Sequence, residues 1–221
     1  MSIHGSAGLN YLQSSGTLVP PSPNASVSYW VYINSFSGTR PWGVNTDFEN
    51  RILGTGQVVN DMYNVTDGTT SVSTLSTGQW YHIVTTADHV TTADEVYING
   101  QLDASGFLAV GGAATSGVLT ICSSTWNIGQ GMDATIDDWR LYDRILTAAE
   151  VSTIYACEGS DGIMDGLLHR FIFVEASNGT TPGAGAVKDL ASGSIGSLSP
   201  TGSPTIEGSV LHFTRRVKQA R

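Results

Sequence analysis

Two carboxylates stand side by side at Asp137 and Asp138, inside the strand-like run "ATIDDWRLYD". Acids in such a setting can trade a proton with a substrate, ligate a hard cation, or hold a guanidinium or backbone partner. Hydrolysis of a glycosidic bond requires two carboxyl groups about 5–9.5 Å apart, flanking that bond. Adjacent residues of a strand point to opposite faces, so Asp137 and Asp138 do not form such a dyad. Asp47-Phe48-Glu49 has the acid-x-acid spacing but reads as a loop. Neither G-x-S-x-G nor H-E-x-x-H occurs, and His4, His82, His89, His169 and His212 are scattered. The expectation is a protein that is not an enzyme.

In a regular strand Asp138 shares its face with Ile136, Arg140 and Tyr142, so Arg140 is its natural partner. Asp137 then falls among apolar neighbours, with Trp139 and Leu141. A buried carboxylate is costly unless it is paired or hydrogen-bonded, so Asp137 calls for backbone N–H groups or a cation. Trp42 and Trp126 are the candidate stacking platforms for a sugar ring; the alternative is that both tryptophans pack internally.

These side chains are carried by strands. Residues 25–33, "ASVSYWVYI", alternate with period two. "GQWYHIVTTAD" (78–88) and "GVLTICSS" (117–124) read as further strands, and "EVYINGQLD" (95–103) as a hairpin. Its Asn99-Gly100 pair supplies the two positive-φ positions of a type I′ turn. One helix follows: Thr147-Ala148-Ala149-Glu150 fits a capping box, with Val151, Ile154 and Tyr155 on one apolar face. Beyond Gly159 the texture shifts to a strand-like "LLHRFIFVE", a long Gly/Ser/Thr/Pro-rich stretch, and "SVLHF" at 209–213.

The 221 residues include 26 glycines and carry a net charge of −9. An acidic body repels nucleic acid, and no apolar run approaches the roughly 20 residues of a membrane helix, so neither partner is expected. Arg215, Arg216, Lys218 and Arg221 are four of the ten cations, so the remainder carries −13. No basic n-region with an apolar stretch opens the chain, and a protein made in the cytoplasm without a signal peptide is expected. Cys122 and Cys157 make no disulfide framework.

"STGQWYHIVTTAD", "VYINGQLD" and "ATIDDWRLYDRILTAAEVSTIY", in that order, resemble the laminin G-like modules of the concanavalin A-like lectin/glucanase superfamily. The resemblance covers about residues 25–156. It implies an all-β fold: a jelly-roll sandwich of two antiparallel sheets with one short helix. The family's opening motif is missing from the N-terminus, whereas "GLLHRFIFVEASNGTT" (166–181) and "KDLASGSIGSL" (188–198) resemble it. Either the module is circularly permuted, or the tail begins a second module that never completes. The favoured division is a body over 1–158 and a C-terminal segment over 159–221 that supplies strands to the sandwich and ends in a basic tail.

The resemblance also implies a structural calcium, held by Asp137 or Asp138 together with Asp189; the alternative is that these acids only bond backbone amides. Similar modules occur in phage structural proteins. The expected function is therefore a non-enzymatic virion protein, a bacteriophage capsid decoration or cement subunit at the particle surface. Its expected partners are other virion proteins and further copies of itself. The alternative is a carbohydrate-binding, lectin-like module whose partner is a glycan.

Overall fold

The computed structural model describes residues 2–5, 10–45, 48–63, 68–107, 114–123, 130–174, 179–191 and 195–207. Fourteen strands and one helix follow one another among the described residues. They are β1 (Ser2–Gly5), β2 (Tyr11–Leu18), β3 (Asn24–Ile33), β4 (Trp42–Asn45), β5 (Phe48–Ile52), β6 (Val58–Met62), β7 (Trp80–Asp88), β8 (Ala93–Ile98), β9 (Gln101–Phe107), β10 (Gly117–Ile121), β11 (Ala134–Tyr142), α1 (Ala148–Cys157), β12 (Leu167–Phe171), β13 (Leu198–Thr201) and β14 (Thr205–Glu207). An eight-stranded sheet runs β14-β1-β11-β3-β7-β8-β9, with β12 also paired to β11; a six-stranded sheet runs β13-β2-β10-β4-β5-β6. Every pairing between these strands is antiparallel. This is the expected sandwich, with apolar side chains from both inner faces forming the core between the sheets.

Local chemistry accounts for the connections that matter. Asn99 and Gly100 adopt φ of 51° and 79°, closing the β8–β9 hairpin at the Ile98↔Gln101 pair. A Cβ on Gly100 would lie 3.0 Å from the Tyr155 ring, so the turn also makes room for α1. The helix starts at the expected capping box, Thr147 with Glu150. Its buried Val151 and Ile154 join Val84, Tyr97 and Tyr142 in a second, smaller apolar cluster. Tyr155 stacks on Trp30 at 5.6 Å. A ten-residue helix is marginal alone, so this docking onto the outer face of the eight-stranded sheet is what keeps it formed.

The C-terminal segment is built into both sheets. β12 pairs with β11, β13 with β2, and β14 with β1. Phe171, Phe173, Val187, Ile195, Leu198 and Ile206 are all in the main core. Each such side chain contributes about 1.5–3 kcal/mol on burial. Together they rival the whole folding free energy of a domain, about 5–15 kcal/mol. The run at 209–213 and the basic tail lie outside the described residues.

A chain truncated after Glu158 is therefore expected to lose cooperative folding. Circular dichroism melting and gel filtration check this; a soluble 1–158 fragment with a sharp melt would contradict it.

Candidate functional site

The acid pair sits at an irregularity of β11. The strand's register against β3 shifts between Asp137 and Arg140, and Asp138 takes a left-handed φ of 47°. This bulge changes which residues face the core. Ile136 and Trp139 both point inward, where an unbroken strand would put them on opposite faces. Asp137 is thereby moved off the face of Trp139 and Leu141, contrary to the simple alternation, and its Oδ1 accepts from the Asp138 N–H at 2.8 Å.

Asp138 belongs to a buried charge network. Arg140, fully buried, donates from Nε and Nη2 to the two Asp138 oxygens at 3.0 and 2.6 Å. It donates from Nη1 and Nη2 to the two Asp161 oxygens at 2.9 and 2.8 Å. Arg170 of β12 adds a bond from Nε to Asp138 Oδ1 at 2.8 Å and one from Nη2 to the Gly159 carbonyl at 2.7 Å. Gly159, at φ 97°, passes so close that a Cβ would lie 3.1 Å from Asp138 Oδ2. Burial opposes ionisation of Asp138, but the Arg140 and Arg170 guanidiniums outweigh it and hold its carboxyl down at about 2.

Asp189 is engaged in the same manner. One oxygen meets His169 Nδ1 at 2.6 Å; the other accepts from the Arg170 and Ala191 N–H groups at 3.0 Å each. The three acids do not fit a calcium site. Arg170 stands between Asp138 and Asp189, its guanidinium on one and its backbone N–H on the other. Both oxygens of each of these two carboxylates already have protein donors. Among the described residues no group of three His, Cys, Asp or Glu side chains is placed to hold a metal.

The tryptophan platform is also corrected. Trp42 is fully buried, edge-on to Phe48 and Trp139 at 5.6 Å, and its Nε1 donates to Asn50 at 3.2 Å. It joins the two sheets instead of meeting a sugar. Trp126 lies outside the described residues, as does Asp47.

An arrangement the sequence reading missed lies on the outward face of the six-stranded sheet. Phe48, Ile52, Val58 and Met62 of β5 and β6 point into the core, so Glu49, Arg51, Val59 and Asp61 point away from it. Glu49 and Asp61 are directly opposite each other, a like-charge pairing that is unfavourable by itself. Each is neutralised by its own arginine. Arg40 Nε donates to both Glu49 oxygens at 3.0 and 2.9 Å. Arg51 bonds both Asp61 oxygens. The result is a row of alternating charge, Arg40, Glu49, Asp61, Arg51, whose most accessible member is Arg51, with 29% of its side chain exposed. Two opposed carboxylates on one face have the layout of a hydrolytic dyad, but both oxygens of each are engaged by a guanidinium. The pairing was invisible in sequence because Glu49 and Asp61 are brought together only by the β5–β6 register.

Residues 6–152 match the Concanavalin A-like lectin/glucanases superfamily, and the chain belongs to that family. No curated protein matches it. Among solved structures, a candidate carbohydrate binding protein from Bacteroides ovatus superposes with a TM-score of 0.66 at 16% identity, over 94% of this chain and 60% of that one. A heptameric SAP-like pentraxin from Limulus polyphemus superposes at 0.58 and 16% identity, over 76% and 89%. Likeness at these identities shows a shared fold. The present chain spans only 60% of the Bacteroides protein's length.

Asp94 of β8 is a buried acid held by neutral donors, accepting from Asn60 Nδ2 and from the Thr69 N–H at 2.9 Å. Burial pushes its carboxyl up to about 6 from 3.8. Between those values the folded chain holds a proton that the unfolded chain has lost, so Asp94 contributes stability at low pH that is lost as pH rises through 6. Asp138 acts in the opposite sense, its contribution being lost as pH falls towards 2. The expected result is that wild type gains on an Asp94→Asn variant by up to about 3 kcal/mol as pH drops from about 7 to about 4. Urea unfolding at each pH measures this; a pH-independent difference would contradict it.

Proposed function

We propose that the chain is a non-enzymatic recognition module whose ligand is a glycan, taken on the outward face of the six-stranded sheet around Arg51. The observation that carries this reading is the Arg51 guanidinium, the accessible member of the row Arg40–Glu49–Asp61–Arg51, held by Asp61 above the buried Arg40–Glu49 pair. Ion pairing fixes these planar polar groups in place, and fixed, convergent hydrogen-bonding groups are what orient a hydroxyl-rich ligand. The family and the fold shared with a candidate carbohydrate binding protein support the same class. The arginine partners of Glu49 and Asp61 support binding over hydrolysis.

A place on a bacteriophage particle is the second reading. What supports it is the charge layout: a body of −13 with four cations gathered after Phe213, suited to docking on acidic neighbours. Such a decoration subunit can bind glycan with the same face, and recovery of the protein with purified particles decides this location.

The glycan reading predicts that a glycan array detects binding, and that Arg51→Ala weakens it about tenfold, about 1.4 kcal/mol, without lowering the melting temperature by more than a few degrees. Absence of glycan binding, or binding indifferent to Arg51→Ala, would contradict the site. Release of reducing sugar that is abolished by Glu49→Gln would contradict the non-enzymatic assignment.

A further inference from the structure

Sheet edges are where one chain can recruit another, because their outer N–H and C=O groups have no strand beside them. In this sandwich most edges are covered from within. β14 exchanges backbone bonds with residues 179–180, through Gly179 N to Ile206 O at 2.7 Å and Ile206 N to Thr180 O at 2.9 Å. β6 is covered by 69–71, with Asn60 N bonded to Thr69 O at 3.0 Å and Ser71 N to Val58 O at 2.8 Å. β13 receives Val187 and β12 receives Leu190. β9 differs. Its inner side pairs with β8 from Gln101 to Phe107, and no described segment makes a backbone bond to its outer side.

β9 also lacks the usual guards of an exposed edge. "QLDASGF" contains neither proline nor a cation. Asp103, its one ionisable side chain, is turned to the Val72 and Ser73 N–H groups. Leu102 and Phe107 are 52% and 81% exposed, which leaves apolar surface at both ends of the strand.

We propose that β9 accepts, as an added antiparallel or parallel strand, residues 209–213 ("SVLHF") of a second copy of this chain. That run is apolar and β-prone, and it follows β14 directly. β14 and β9 are the opposite ends of the eight-stranded sheet, about 29 Å apart at ~4.8 Å per strand. Residues 208–213 span at most about 22 Å when fully extended, so the run does not reach β9 of its own chain. Between copies the geometry is direct: the run follows β14 at one edge of one molecule, and β9 is the opposite edge of the sheet in the next. Charge agrees, since Arg215, Arg216, Lys218 and Arg221 would follow the donated strand onto a neighbour whose body carries −13. The contact is heterologous, so it builds rings or open chains of molecules, not an isologous dimer. It is independent of the glycan site on the other sheet.

The test uses the full chain in a Cys157→Ser background, because Cys157 is exposed and Cys122 buried. Sedimentation velocity is expected to show concentration-dependent association of the full chain, and monomers for a chain ending at residue 207 and for Ser105→Pro. Mixing a Ser105→Cys chain with a Leu211→Cys chain and oxidising is expected to link the two to each other. Should Ser105→Pro melt lower than the parent, the 1–207 chain with an added 208–221 peptide reads the same contact by fluorescence anisotropy, where saturable binding is expected. A monomeric full chain, links between two Ser105→Cys chains only, links within a single doubly substituted chain at high dilution, or no peptide binding would overturn the proposal.

Discussion

The Arg140 guanidinium is the interaction on which the arrangement of this molecule depends. It is fully buried, and removing a cation from water carries a penalty of several kcal/mol that only close, complementary partners offset. Those partners come from separate stretches of chain: Asp138 from the bulge in its own strand, and Asp161 from the turn beyond α1. Arg170, from β12, closes the group through Asp138. Since each group alone would be an uncompensated buried charge, the network forms as a whole. It therefore fixes where the chain goes after the helix, and aligns Arg140 with Arg170 across the β11–β12 pair. The C-terminal segment then delivers Phe171, Leu198 and Ile206 to the core.

The same physics explains why the two faces of the sandwich differ. The outer face of the eight-stranded sheet is closed by α1 and by the exit from it, with Tyr155 on Trp30 and the charge network below. On the outward face of the six-stranded sheet the polar groups satisfy one another sideways, Arg40 with Glu49 and Arg51 with Asp61. Of these groups only the Arg51 guanidinium, held by Asp61, keeps appreciable exposure, which is why the proposed recognition site is placed there and not at the acid pair of β11.

Much of the fold was legible because its signals are local. The Asn99-Gly100 turn, the Thr147–Glu150 capping box and the alternation of β3 each depend on a few adjacent residues. The Asp138–Arg140 partnership was legible for the same reason, being two residues apart. The bulge was not, because it exists only relative to β3, and so the inward turn of Trp139 beside an inward Ile136 could not be read. Trp42 was misread since a four-residue strand gives too little periodicity to tell an inner from an outer position. The partners that occupy the calcium candidates were not legible because they are distant in sequence: His169 for Asp189, and Arg170 for both Asp138 and Asp189. Arg40, Glu49, Asp61 and Arg51 gave no signal, since each is an ordinary surface residue type until the β5–β6 register gathers them.

Through the Arg140 network the C-terminal strands belong to one cooperative body with the rest of the sandwich. Native-state hydrogen exchange measures this most directly, since it reports the opening free energy of each amide. Amides of β12 are expected to open with the same free energy as those of β3 and β7, and Arg140→Ala to lower all three together, by about 3–5 kcal/mol. Exchange of β12 through a separate, lower-energy opening in the wild-type chain, with β3 and β7 unaffected by Arg140→Ala, would contradict it.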